Sequence, residues 1–157
     1  MAANDKPLAE LYALIEKIEN AMLTTRRHDG RLVSRPMATQ KRDPIADLWF
    51  VTDSESHKLD ELERDPQINL GYFDTGNREW VSVSGTAGIS TDREAIRQRF
   101  QPDWKMWLGV SGPDDPRLAL ILVHVHSVTY MKRGQTKPTI LFELDRGMVP
   151  GKRRIAA

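Results

Sequence analysis

Apolar residues recur at two spacings along this chain, and the changes between them mark out its elements. Leu8, Leu11, Ile15 and Ile18 return every three or four positions, while Glu10, Glu16, Lys17 and Glu19 fall on the other face. That spacing predicts an amphipathic helix over residues 5–20, laid as a lid on a core. Asp5 can cap it, and Pro7 is tolerated in a first turn. Residues 21–27 then read as a strand. His28-Asp29-Gly30-Arg31 reads as a hairpin turn, because Asp-Gly supplies the positive φ that tight turns need. Residues 32–41 return as the partner strand. Pro36 inside that run predicts an edge or a bulge, since proline cannot donate to a ladder.

A turn at Asp43-Pro44 precedes a third strand over 48–52, where Trp49, Phe50 and Val51 suit a buried position. Residues 56–64 form a short helix with Leu59 and Leu62 inward, stopped by Pro66. Strands over 68–73 and 79–89 flank the turn Asp74-Thr75-Gly76-Asn77. In the second of them Val81 and Val83 alternate with Ser82 and Ser84, one face apolar and one polar. Gly85 and Gly88 mark a bulge or a close approach of backbone. Thr91-Asp92 caps a third helix that carries Ile96 and Phe100 and is interrupted at Pro102. The stretch around Trp104 and Trp107 fits neither spacing. A loop over 111–116 leads to a long final strand, 118–131; residues 137–148 suit either a helix or a strand, and a helix is expected. The resulting fold class is mainly β with flanking α-helices: a six-stranded antiparallel barrel, closed so that no edge is exposed. A single domain is expected, with the helix at 5–20, the barrel at about 21–132 and a tail at 133–157.

Composition narrows the partners more than the fold. The chain has 157 residues and a formal net charge of +1, so nothing in the overall charge asks for nucleic acid or an anionic membrane. It has no cysteine, which removes disulfides, thiolate nucleophiles and thiolate metal sites. Its start, Met1-Ala2-Ala3-Asn4-Asp5-Lys6, lacks the apolar core of a secretory signal. The best apolar run, 118–123, is far short of a membrane span. A cytoplasmic protein is expected. The basic Lys152-Arg153-Arg154 reads as a solvated end.

Three apparent motifs carry little. Asp74-Thr75-Gly76 spells an aspartic-protease triplet, but Asn77-Arg78-Glu79 follows it at a position where a hairpin must turn. His124 and His126 share a strand face without an obvious third metal ligand nearby. No Gly-x-Gly-x-x-Gly, Walker or Gly-x-Ser-x-Gly sequence occurs.

The basic pair Arg35 and Lys58 carries more. They are either unrelated surface charges or, if their strands are neighbours, two cations aimed at one spot. Thr52, Ser54 and Ser56 add hydroxyls, and the helix start near Ser56 adds free amides and a dipole that favours an anion. Together these could anchor a phosphomonoester.

Ser34-Arg35-Pro36-Met37, then Trp49-Phe50-Val51-Thr52-Asp53 and Ser56-His57-Lys58, resemble the pattern of FMN-binding split-barrel proteins. More narrowly, the chain resembles the general stress protein branch of the pyridoxamine 5′-phosphate oxidase-like group. The likeness extends through residues 80–87 and the loop 112–116. It implies a split β-barrel homodimer with flavin, FMN or else FAD, at the subunit interface. Arg35 and Lys58 would hold the phosphate with Ser56 assisting. Main-chain atoms around Pro36 and Met37 and of Val51, Thr52 and Asp53 would line the isoalloxazine ring. His57 stands where the oxidases carry a second basic residue, and Trp80 where they carry a glutamine near the flavin. Trp107 would approach the ring from the partner subunit. The oxidases end in an arginine–histidine pair that holds pyridoxamine phosphate, and Glu143-Leu144-Asp145-Arg146-Gly147-Met148 does not match it. Flavin-dependent redox without that oxidase activity is therefore expected, with a small-molecule electron donor or acceptor. No metal is expected, and no residue stands out as a general acid or base. The alternatives are a non-enzymatic flavin-binding stress sensor or carrier, or a barrel holding another planar ligand such as haem or a deazaflavin.

Overall fold

The computed structural model describes residues 2–143, with side chains from Lys6 onward. Among the described residues, seven strands and four helices follow one another as α1 (Ala2–Ile15), β1 (Asn20–Arg26), β2 (Leu32–Ala38), β3 (Leu48–Asp53), α2 (His57–Arg64), β4 (Gln67–Asp74), β5 (Glu79–Ser90), α3 (Arg93–Arg99), α4 (Trp104–Leu108), β6 (Leu118–Met131) and β7 (Thr139–Glu143). The strands pair in the order β2-β1-β4-β5-β6-β3, with β7 also on β6, and every pairing is antiparallel.

Two expectations about the sheet are corrected. It has seven strands rather than six, and it does not close. β2 and β3 end the path, and no ladder joins them among the described residues. Pro36 sits in β2, opposite Met22 of β1, on the strand that ends the path, where a missing donor costs least. The seventh strand replaces the helix expected over 137–148. β3 occupies only residues 118–123 of one edge of β6, and β7 takes 127–130 of the same edge. That free ladder, offered to Ile140, Leu141 and Phe142, outweighs helical spacing. Residues 144–148 lie outside the described residues. Where β6 passes from β3 to β7 the sheet splits, and the Asp47 carboxylate accepts the Val125 N–H at 2.9 Å in place of a strand.

β3 is buried on both faces, which is why it reads as a continuous apolar run. Leu48 and Phe50 point into the main core with Leu23, Leu70, Val83 and Ile121. Trp49 and Val51 point the other way, into a second cluster with Ile96, Trp104, Leu118 and Leu120. The Trp104 ring lies edge-on to Phe100 at 5.5 Å and to Trp49 at 6.4 Å. α3 and α4 therefore serve as the outer cover of β3, and the segment that fitted no spacing is the helix α4.

The amphipathic helix is present with shifted bounds, ending at Ile15 rather than at 20. Pro7 lies inside it, and Ile18 reaches the core from the turn that follows. At the predicted bulge, β5 and β6 slip register between Ser84 and Gly85. A Cβ on Gly85 would overlap the carbonyl oxygen of His124, so backbone approaches there as expected. Gly88 has open space around it and marks nothing of the kind.

Candidate functional site

The end of β3 and the start of α2 make a turn closed by its own side chains. The Asp53 carboxylate accepts the Glu55 N–H at 2.9 Å, and the Asp53 carbonyl accepts the Ser56 N–H at 3.0 Å. Ser56 is the N-cap of α2. Its hydroxyl accepts from the Lys58 amide at 3.3 Å and from the Lys58 ammonium at 2.8 Å. Burial holds the Lys58 ammonium below the usual lysine range, and the Arg35 charge lowers it further, against smaller opposite effects of Asp53 and Glu61. The two cations thus feel each other although 23 positions of chain separate them.

Arg35 is placed by a network that the sequence reading missed. β2 brings it opposite Leu23 of β1. Its guanidinium donates to Thr25 Oγ1 at 2.5 Å and to Glu61 Oε1 at 3.2 Å, and the Thr25 hydroxyl donates to the same Glu61 oxygen at 2.6 Å. Thr25 is buried, and the Glu61 side chain is nearly so. Burial alone would push the Glu61 carboxyl up. The hydrogen bonds from Thr25 and Arg35, and the charges of Arg35 and Arg27, outweigh it and hold the carboxyl below the ordinary range. A guanidinium has five N–H donors, and two are spent here. An ammonium has three, and Lys58 spends one. Both cations keep donors for an anion.

The site opens into the gap that the sheet leaves unclosed. A cleft of about 560 Å³ is lined by Pro36 and Met37 of β2, Val51 and Thr52 of β3, Lys58 of α2 and Trp107 of α4, with the acidic Glu19 and Asp103 also on its wall. Arg35 and His57 line a separate groove of about 510 Å³.

Of the residues singled out in the sequence, Pro36, Met37, Val51, Thr52, Lys58 and Trp107 line the first cleft, and Arg35 and His57 face the second. Ser56 caps the helix between them. Asp53 belongs to the turn beneath and lines neither cleft. Trp80 is elsewhere: it pairs with Phe73 and Met131 on β5 and lines neither cleft. Trp107 lines the cleft of its own chain, where the resemblance implied an approach from the partner subunit. Glu61 had one legible signal, since it lies three positions after Lys58 on α2 and so shares its face. Thr25 had only its place two residues after Leu23 on β1.

Asp74 is spent on its turn, accepting the amides of Gly76 at 3.1 Å and Asn77 at 3.3 Å, so the protease triplet is a plain hairpin. The rings of His124 and His126 lie 5.5 Å apart. His124 Nδ1 stands 3.2 Å from the Asp47 carboxylate that already holds the Val125 amide.

The chain is 32% identical to the protein bli-3 of Neurospora crassa, over 94% of this chain and 75% of that protein. It is 29% identical to general stress protein 26 of Bacillus subtilis, over 60% of this chain and 68% of the relative. The fold is shared with the crystal structure of the general stress FMN/FAD binding protein of Xanthomonas citri: TM-score 0.66 and 20% identity, covering 84% of this chain and 92% of that one. Residues 6–154 match the family described as pyridoxamine 5′-phosphate oxidase like, and the chain belongs to that family.

Proposed function

We propose that this chain binds a flavin. The phosphate of its mononucleotide part sits between Arg35 and Lys58, and its isoalloxazine ring lies in the cleft between β2 and β3. One observation carries the reading. Lys58 lines a cleft in which Pro36, Met37, Val51 and Trp107 stand beside the polar Glu19, Asn20 and Asp103, and Arg35, near enough for its charge to depress the Lys58 ammonium, faces the next groove; both cations keep unspent donors. A planar apolar ring with an anionic tail is the ligand that such a pairing suits. The residues present fit the group. Ser56 orients the ammonium, Glu61 and Thr25 orient the guanidinium, and Trp107 offers a flat apolar surface to the ring. When bound, the flavin supplies the hydride or electron chemistry. The chain contributes anchoring and a dry pocket for exchange with a small-molecule donor or acceptor. Pyridoxamine phosphate oxidation is not part of this function.

The functional unit is a homodimer with the flavin sites where the subunits meet. Trp104, Met106, Trp107 and Leu108 lie together in the sequence and make a larger apolar cluster than one helix face needs. Trp104 is wholly buried within its own chain, however, so only Met106 and Trp107 remain strongly exposed there. Met22, Leu32 and Phe73 are the other large exposed apolar residues among the described residues, and Phe73 pairs with Trp80. Trp80 on this reading is an interface residue rather than a flavin contact.

The test is titration of the apo-protein with FMN, riboflavin and pyridoxal phosphate, followed by flavin fluorescence. FMN is expected to bind at least about a hundredfold more tightly than riboflavin, since two charge-assisted contacts separate them. Equal affinity for FMN and riboflavin would remove the anchor, and tighter binding of pyridoxal phosphate would replace the ligand.

A further inference from the structure

Lys58 lines one of two spaces of similar size and Arg35 the other, and the reading above fills only the first. A bound mononucleotide ends at these two cations. The groove beyond it, faced by Arg35 and His57, is lined in addition by Arg27 and His28 of the β1–β2 hairpin, Val33 of β2, and Asp60 of α2. A smaller cleft shares Arg27 and His28 and carries the depression on to Arg26 and Arg64.

The chemistry of this groove is that of a nucleotide site. A second phosphate, linked to one held at Arg35, needs another cation next along the path. Arg27 supplies it: its side chain is about half exposed, and a single 3.3 Å contact with Asp29 leaves donors unspent. A nucleoside needs an apolar or flat wall, and Val33 and the His28 imidazole provide one. A ribose needs an acceptor for its two hydroxyls. Of the three carboxylates in the groove, Asp29 is paired with Arg27 and Arg31, and Glu61 with Arg35 and Thr25. Asp60 is exposed and has no ion pair or hydrogen bond among the described residues. A lone carboxylate beyond a phosphate anchor is the group that dinucleotide sites use to hold a ribose diol.

Charge alone does not select the ligand. Across the two clefts four guanidinium groups, Arg26, Arg27, Arg35 and Arg64, are balanced by Asp29, Asp60, Asp65 and Glu61. Selection rests on which groups remain unspent, and those are a cation next to the anchor and a carboxylate beside it.

We propose that this groove is the subsite for the adenylyl half of FAD: Arg27 contacts the second phosphate, Asp60 accepts from the ribose hydroxyls, and the adenine lies along Val33. The chain then takes FAD in preference to FMN. The proposal rests on the flavin reading of the cleft between β2 and β3.

The full-length chain, stripped of ligand, is titrated with FMN and with FAD, alongside Arg27→Ala and Asp60→Ala. The wild type is expected to bind FAD about tenfold or more tightly than FMN, the scale of one charge-assisted contact. Each variant is expected to lose most of that advantage while FMN affinity stays within about twofold, a change far smaller than such a contact carries. FMN bound and FAD bound no better, or both ligands weakened alike by Arg27→Ala and Asp60→Ala, overturns the subsite and leaves the first cleft standing. Binding of neither flavin by the wild type overturns the first cleft, and the subsite with it.

Discussion

The guanidinium of Arg35 and the carboxylate of Glu61 lie 3.2 Å apart, with Thr25 donating to the same oxygen from 2.6 Å. This contact joins β1, β2 and α2. It fixes the direction of the cation proposed to hold a phosphate while leaving donors on the outward edge of the guanidinium. It also lowers the net charge of the anchor, since two cations stand against one carboxylate. Orientation is gained at some expense in attraction.

Removing that carboxylate should loosen the fold before it touches a ligand. Glu61→Ala leaves a partly buried guanidinium and a buried hydroxyl without their acceptor, which costs about 1–3 kcal/mol. For a chain of this length that is about 2–4 °C of Tm for each kcal/mol. Because the folded Glu61 carboxyl lies below its unfolded value, the stability it contributes is present above about pH 4.3 and is lost as pH falls through the folded value. Thermal melts between neutrality and pH 3 should show Glu61→Gln losing less on acidification than the wild type.

The anchor can be tested by charge removal. Arg35→Ala with Lys58→Ala should weaken FMN about a hundredfold or more, as two charge-assisted bonds imply, and leave riboflavin little changed. Isothermal titration with the two ligands side by side decides it, and parallel losses would count against a phosphate at this position.

Lys58 adds a dependence on pH. Its charge is lost at lower pH than that of an ordinary lysine, about 10.4, because burial and Arg35 depress it. Affinity for FMN should be flat near neutrality and decline as pH rises into that window, with riboflavin unaffected and Lys58→Arg abolishing the decline. The unfolded chain holds this proton more firmly, so the apo-protein should gain stability through the same window as pH rises.

Two tryptophans one helical turn apart should behave oppositely. Trp104 is wholly buried against Phe100 and Trp49, so Trp104→Ala should cost about 3–5 kcal/mol. Trp107 is 46% exposed and lines the cleft, so Trp107→Ala should change stability by less than about 0.5 kcal/mol. It should weaken FMN and riboflavin alike, because it faces the ring rather than the phosphate. A large fall in Tm with unchanged flavin affinity would move Trp107 out of the site.

The split in the sheet gives a last pair. Gly85→Ala places a methyl group on the carbonyl oxygen of His124 and should cost about 1–3 kcal/mol or more. Gly88→Ala meets nothing within 4 Å and should stay within about 0.5 kcal/mol. Equal effects in chemical denaturation would mean that the bulge at residue 85 is not needed.

The sequence by itself determined the local elements and the chemistry available to them. Strand spacing gave β1 to β6 to within a residue or two at most ends; β2 is the exception, stopping at Ala38 rather than 41. Asp-Gly placed the first hairpin, and Pro36 marked an edge. Ser56 and Lys58 at a helix start, and Arg35 on β2, showed themselves as residue types suited to an anion. Tertiary structure decided what depends on pairing between distant segments. Whether β2 meets β3 is a matter of sheet curvature, and leaving them apart made the cleft. Whether residues 139–143 form a strand depended on a free edge of β6 that no local pattern reports. Glu61 and Thr25 are ordinary residues in the chain. They become the support of Arg35 only because α2 packs against β1, and burial in that contact is what gives their hydrogen bonds weight.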